Sequence, residues 1–179
     1  MFVRTERLFL RPAWPEDVDD VLGAIEDYDV QPGVGVEPLP RTARELQRFI
    51  EQPRDPRLPH FFIYLRAADG PELVGGIGFA RTAGDVEMGY WVHPRYRGRG
   101  YATEAVRAVL KQARSLGHRQ VYAKQFVDCA ASARVLEGLG FTLTEEARER
   151  HAIGESACIY VIDLERSACA QGQAEPMAA

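Results

Sequence analysis

Cysteine is scarce in this 179-residue chain, and the three present, Cys129, Cys158 and Cys169, are odd in number and widely spaced. They make neither a disulfide framework nor a metal site, and they fit a reducing compartment. The four histidines stand apart, with no second ligand at metal spacing, so no metal is expected. Long apolar runs are missing too, which excludes a membrane-spanning helix. The opening residues, with Arg4, Glu6, Arg7 and Arg11, are too charged for a signal peptide. Basic charge is not in excess either: 22 Lys and Arg against 26 Asp and Glu leave a net charge of −4, which argues against a nucleic-acid partner. What remains is a cytoplasmic protein with no membrane and no nucleic-acid partner.

The length suits one domain that can bury a core without staples. Residues 1–166 are expected to form it, because residues 167–179 are small, polar and aperiodic and read as a disordered tail. Residues 7–11 alternate like a first strand. Pro15-Glu16-Asp17 is a helix start, followed by Val18, Val21, Leu22 and Ile25 at helical spacing. Thr42-Ala43-Arg44-Glu45 is a capping box before Leu46, Phe49 and Ile50. Proline-rich loops flank that helix, at residues 31–40 and 52–59.

Residues 61–66 and 73–79 predict a hairpin around Asp69-Gly70, and residues 86–92 predict the strand that pairs with it next. A helix over 101–116 carries Ala105, Val106, Val109, Leu110 and Ala113 on one side and stops at Gly117. The strand at 121–127 follows it, so this connection is a parallel crossover. A short helix over 130–139 ends at Gly140, and strands at 141–144 and 157–164 close the chain.

The stretch from His93 to Glu104 carries the chemistry. A strand runs into it and a helix runs out. Gly98 and Gly100 permit a tight turn and close approach of a ligand. Successive N–H groups at a helix start favour an anion. Residues 95–114 hold six Lys or Arg against one acid, a local reversal of the chain's acidic balance. A phosphorylated ligand fits this pattern. A Walker loop does not, because Gly100 is followed by Tyr101-Ala102, and a dinucleotide fingerprint does not, because Thr103 stands where its third glycine belongs.

Arg97-Gly98-Arg99-Gly100-Tyr101-Ala102 resembles the Gln/Arg-x-x-Gly-x-Gly/Ala signature of the GNAT superfamily of N-acetyltransferases. Three further pieces are similar to its RimJ/RimL-like ribosomal-protein branch. They are Thr5-Glu6-Arg7-Leu8-Phe9-Leu10-Arg11-Pro12, Glu87-Met88-Gly89-Tyr90-Trp91, and Ala131-Ser132-Ala133-Arg134-Val135-Leu136-Glu137 running into Leu139-Gly140-Phe141. Together they span residues 5–164. The resemblance implies a GNAT-like α/β domain, a mixed sheet of about six to seven strands flanked by about four helices. That sheet is antiparallel early and parallel between the fourth and fifth strands. It implies acetyl-CoA as acyl donor, a primary amine as acceptor, and direct attack in a ternary complex. The acceptor is a protein N-terminus or a small-molecule amine, and the protein is a monomer or a homodimer.

The resemblance also assigns residues. Arg97, Gly98, Arg99, Gly100, Tyr101, Ala102 and Thr103 cradle the pyrophosphate, and Trp91 and Val92 line the pantetheine gap between strands 86–92 and 121–127. Glu87 is the candidate base, since a carboxylate in an apolar strand suits proton transfer; the plain alternative is a strand acid facing solvent or holding an arginine. Ser132 is the candidate acid beside the leaving sulfur, or a first-turn serine bonding its own backbone. Cys129 stands where the family usually has an asparagine that bonds the pantetheine arm or acceptor, and a thiol is a weak donor. This departure keeps open a non-catalytic acyl-CoA binding or sensing module on the same fold. Tyr160 is expected to pack in the core, and His93 has no assigned role. The charged run from Glu145 to His151 is a solvated edge or helps shape the acceptor site.

Overall fold

Two hydrophobic periodicities build the two sides of one sheet. The computed structural model describes residues 1–26, 40–68, 70–126, 130–144 and 157–165. Its strands are β1 (Val3–Arg4), β2 (Leu8–Arg11), β3 (His60–Ala67), β4 (Gly70–Thr82), β5 (Asp85–Val92), β6 (Gln120–Phe126), β7 (Thr142–Leu143) and β8 (Ala157–Asp163). The helices are α1 (Val18–Glu26), α2 (Ala43–Glu51), α3 (Tyr101–Ser115) and α4 (Ala130–Gly138). Among the described residues the sheet has eight strands in the order β1-β2-β3-β4-β5-β6-β8-β7. All pairings are antiparallel except β5 with β6. α3 is the crossover between those two, as a parallel pair requires. The strand beyond the predicted six to seven is β1, whose two residues are too few to show alternation.

Local chemistry sets the helix ends. Thr42 Oγ1 accepts from Glu45 N at 3.2 Å while Glu45 Oε2 accepts from Thr42 N, so the capping box closes. Pro15–Asp17 forms a 3₁₀ turn that leads into α1. Gly117 and Gly140, at φ +85° and +91°, stop α3 and α4.

β3 shows how the sides are sorted. Phe61 and Ile63 join a core with Leu8, Leu10, Met88, Val121 and the buried face of α3. Phe62 and Tyr64 join a second core with Val21 and Ile25 of α1, Leu46 of α2, and Trp91. α4 lies on the α3 side, through Leu136. The same alternation places Val86, Met88, Tyr90 and Val92 of β5 toward α3, and Glu87 and Trp91 toward the α1 and α2 face. The charged run from Glu145 to His151 and the tail expected from residue 167 lie outside the described residues.

Candidate active site

β5 and β6 meet at one register pair, Glu87 opposite Tyr122. Beyond it the strands part, and a cleft of about 490 Å³ opens between them. Met88 to Val92 form one wall, Ala123 to Gln125 the other, and Ser132, Val135 and Leu136 of α4 close one side. The wide end reaches the turn before α3, where Arg97, Gly98, Gly100, Tyr101, Ala102 and Thr103 line it.

That turn has the geometry an anion needs. Gly98 and Gly100 sit at φ +73° and +80°, a region costly for residues with a Cβ. A Cβ on Gly98 would meet nothing within 4 Å, so glycine is required there by conformation and not by crowding. Gly100 is the N-cap of α3, and no side chain caps that end. The first amides of the helix are therefore left to a ligand or to water. Tyr96 buttresses the turn from below: its hydroxyl donates to Glu72 Oε2 at 2.7 Å and its ring packs against Tyr101. Burial, reinforced by the Glu72 carboxylate, pushes the Tyr96 phenol up. Arg97 folds back, Nε donating to Val92 O at 3.3 Å.

Glu104 occupies the first turn of the same helix. Its carboxylate accepts from Thr5 Oγ1 at 2.6 Å, from Arg7 N at 2.9 Å and from Arg7 Nε at 2.7 Å. Burial alone would raise its carboxyl, but these bonds outweigh burial and hold it below the usual range.

The two candidate catalytic groups lie on opposite faces of the sheet. Glu87 is 7% exposed at the closed end of the cleft, and its Oε2 is 3.5 Å from Lys124 Nζ on the neighbouring strand. Of the alternatives open for a strand acid, neither solvent nor arginine is its setting. Ser132 stands across the cleft on the α3 side, with its Oγ 2.9 Å from Tyr90 Oη. Nothing local in the sequence marks Tyr90, because its partner lies 42 residues away.

The remaining predicted residues separate. Val92 lies in the cleft wall. Trp91 does too, but its side chain belongs to the second core, with the indole against Gly76, where a Cβ would meet Trp91 Nε1 at 2.5 Å. Arg99 is not among the lining residues; its carbonyl accepts from Arg7 Nη1 at 2.9 Å and its guanidinium sits 5.9 Å from the Tyr96 ring centre. Cys129 lies outside the described residues. Tyr160 is buried, with its hydroxyl donating to Glu137 Oε1 at 3.2 Å. Among the described residues no cluster of His, Cys, Asp and Glu could hold a metal ion, and no helix is long and apolar enough to cross a membrane.

Comparison with known proteins gives this geometry a family. The sequence model of the acetyltransferase (GNAT) domain matches residues 7–142. No curated protein matches the chain significantly. Among solved structures, an acetyltransferase of the GNAT family from Bacillus anthracis is 25% identical, with a TM-score of 0.72 over 92% of this chain and 99% of the other. An acetyltransferase from Salmonella typhimurium that modifies the N-terminal serine of ribosomal protein L7/L12 is 19% identical, with a TM-score of 0.72 over 91% of this chain and 99% of the other. The spermidine/spermine N-acetyltransferase SpeG from Vibrio cholerae is 15% identical, with a TM-score of 0.72 over 93% and 99%.

Proposed function

The chain belongs to the GNAT acetyltransferase family and is an acetyl-CoA-dependent acyltransferase, and on that premise we propose that it acetylates a primary amine by direct attack across the β5–β6 cleft. One observation carries this reading. Where β5 and β6 part, a buried carboxylate stands on one face of the sheet and a paired hydroxyl on the other.

The residues fit the donor. The uncapped start of α3, with Gly98, Gly100 and the guanidinium of Arg97, suits the pyrophosphate. In this reading Arg99, Tyr101, Ala102 and Thr103 complete that turn. The edge of β5 at Trp91 and Val92, with Ser132 opposite, receives the pantetheine arm, and the resemblance adds Cys129 to that set. Acetyl-CoA supplies an activated thioester carbonyl. Glu87 takes the proton that the amine gives up, directly or through one water. Tyr90 orients Ser132, whose hydroxyl donates a hydrogen bond where the leaving sulfur lies. A lone serine is a weak acid, and a phenol bonded to it makes it a better donor.

The acceptor class is a primary amine, either a protein N-terminus or a small molecule. The test is release of free CoA in the presence of acetyl-CoA and a panel of N-terminal peptides, polyamines and amino acids. Turnover with at least one amine is expected. Glu87→Gln should lower that turnover at neutral pH, leave acetyl-CoA binding intact, and approach the wild type at high pH, where the amine deprotonates unaided. Lys124 is partly exposed and can reach water when its partner is neutralised, so this variant should fold. Stabilisation by acetyl-CoA with no CoA release from any amine would favour a binding module instead.

A further inference from the structure

Arg7 stands at the entrance to β2, 97 residues before Glu104, yet it touches the α3 turn at four places. Its backbone N–H and Nε donate to the Glu104 carboxylate, at 2.9 and 2.7 Å. Nη1 donates to Arg99 O at 2.9 Å. The guanidinium carbon lies 4.7 Å from the Tyr101 ring centre. Nη2 is 3.4 Å from where a Cβ on Gly100 would be.

Two consequences follow for an anion at this turn. The Arg99–Gly100 peptide is planar and trans, so a carbonyl held by Arg7 aims the Gly100 N–H away from Arg7. Left free, that peptide could rotate and present its carbonyl oxygen to the phosphate instead. Glu104 also poses a problem, because a carboxylate in the first turn favours the helix but repels a second anion at the same end. Arg7 covers that carboxylate with a full positive charge, and Thr5 adds one hydrogen bond to Oε1.

We propose that Arg7 is a positioning residue for acetyl-CoA, which fixes the pyrophosphate turn from the neighbouring strand and cancels the charge of Glu104. The proposal rests on the reading of that turn as the pyrophosphate site. It explains why an arginine with a 43% exposed side chain is held by so many contacts. Arg7 does not act on the reacting atoms.

The test measures acetyl-CoA Kd by calorimetry, and KM and kcat with the best amine, on the full chain. Arg7→Ala should weaken acetyl-CoA about tenfold, the scale of one lost charge-assisted contact. kcat and the acceptor KM should stay near wild type. Arg7→Lys keeps the charge but cannot hold both Glu104 and the Arg99 carbonyl, so it should fold normally and fall between the two. Adding Glu104→Gln to Arg7→Ala should recover part of the affinity, because the repelling carboxylate is gone; a purely structural brace would show no recovery. A folded Arg7→Ala or Arg7→Lys that binds acetyl-CoA like the wild type overturns the proposal, and so does a double variant with no recovery. Gly100→Val separates the two readings. If it loses acetyl-CoA while the Arg7 variants do not, the turn stands and the brace alone fails. If it binds acetyl-CoA like the wild type, the turn itself is misassigned.

Discussion

Tyr90 and Ser132 show what a single residue's chemistry owes to the fold. Ser132 is a candidate through its likeness to the family motif, and Glu87 as a lone acid in an apolar strand where the resemblance places one. Neither the Tyr90 hydroxyl nor the Lys124 ammonium can be found that way, because their partners come from different elements brought together by the crossover. The pairing makes a specific prediction. Tyr90→Phe and Ser132→Ala should each lower kcat, with acetyl-CoA affinity changed less. The double variant should be hardly worse than the worse single one, because the two hydroxyls act as one unit. Each deletion removes a hydrogen bond worth about 1 kcal/mol net, or several-fold in rate. Steady-state kinetics of the four proteins checks this. Fully additive losses would mean that Tyr90 acts apart from Ser132.

At the scale of elements, periodicity and capping made most of the fold legible. The Thr42 box, the alternation of β3, and the glycine stops of α3 and α4 all appear where the pattern puts them. Helix and strand bounds differ from the predicted ones by a few residues, as expected where ends fray. What the pattern cannot carry is the parting of β5 from β6, since alternation says which face each residue takes and not how far two strands run side by side. The turn before α3 is the element whose backbone matters most. Gly100 holds φ +80°, and a β-branched residue there is strained wherever its side chain goes. Gly100→Val should therefore abolish the rise in melting temperature that acetyl-CoA produces by mass action on the folded state. Thermal melts of wild type and variant with and without acetyl-CoA make the measurement, and an unchanged shift would move the pyrophosphate elsewhere.

On the scale of the whole molecule, two ion pairs tie the N-terminal segment to helix starts, one close by in the chain and one 97 residues away, and periodicity marks neither. Asp17 reads locally as a helix-start acid. In the structure it is buried against Arg11, with Nη1 and Nη2 donating to its two oxygens at 2.6 and 2.7 Å, while Arg11 lies between the Trp14 and Tyr64 rings. Burial would raise the Asp17 carboxyl, but the Arg11 bonds and the Trp14 N–H outweigh it and hold it low. Glu104 is held low in the same sense by Thr5 and Arg7.

Both folded pKa values are thus depressed below their unfolded ones, which lie near 4. Their contribution is fully present above about pH 5 and is lost as pH falls through the folded values. The melting temperature should therefore be flat from neutral pH to about 5 and fall steeply below 4. Asp17→Asn leaves the Arg11 charge buried and unpaired, and should cost about 3–5 kcal/mol at neutral pH. Its deficit against wild type should narrow in acid, because the wild type is then losing the same pair. Glu104→Gln should flatten the acid slope as well, by less, because its carboxylate is nearer to solvent. Melts of the three proteins from pH 7 to 3 decide it. A constant Asp17→Asn deficit across that range would mean that the pair's charge is not what holds β2 to the start of α1.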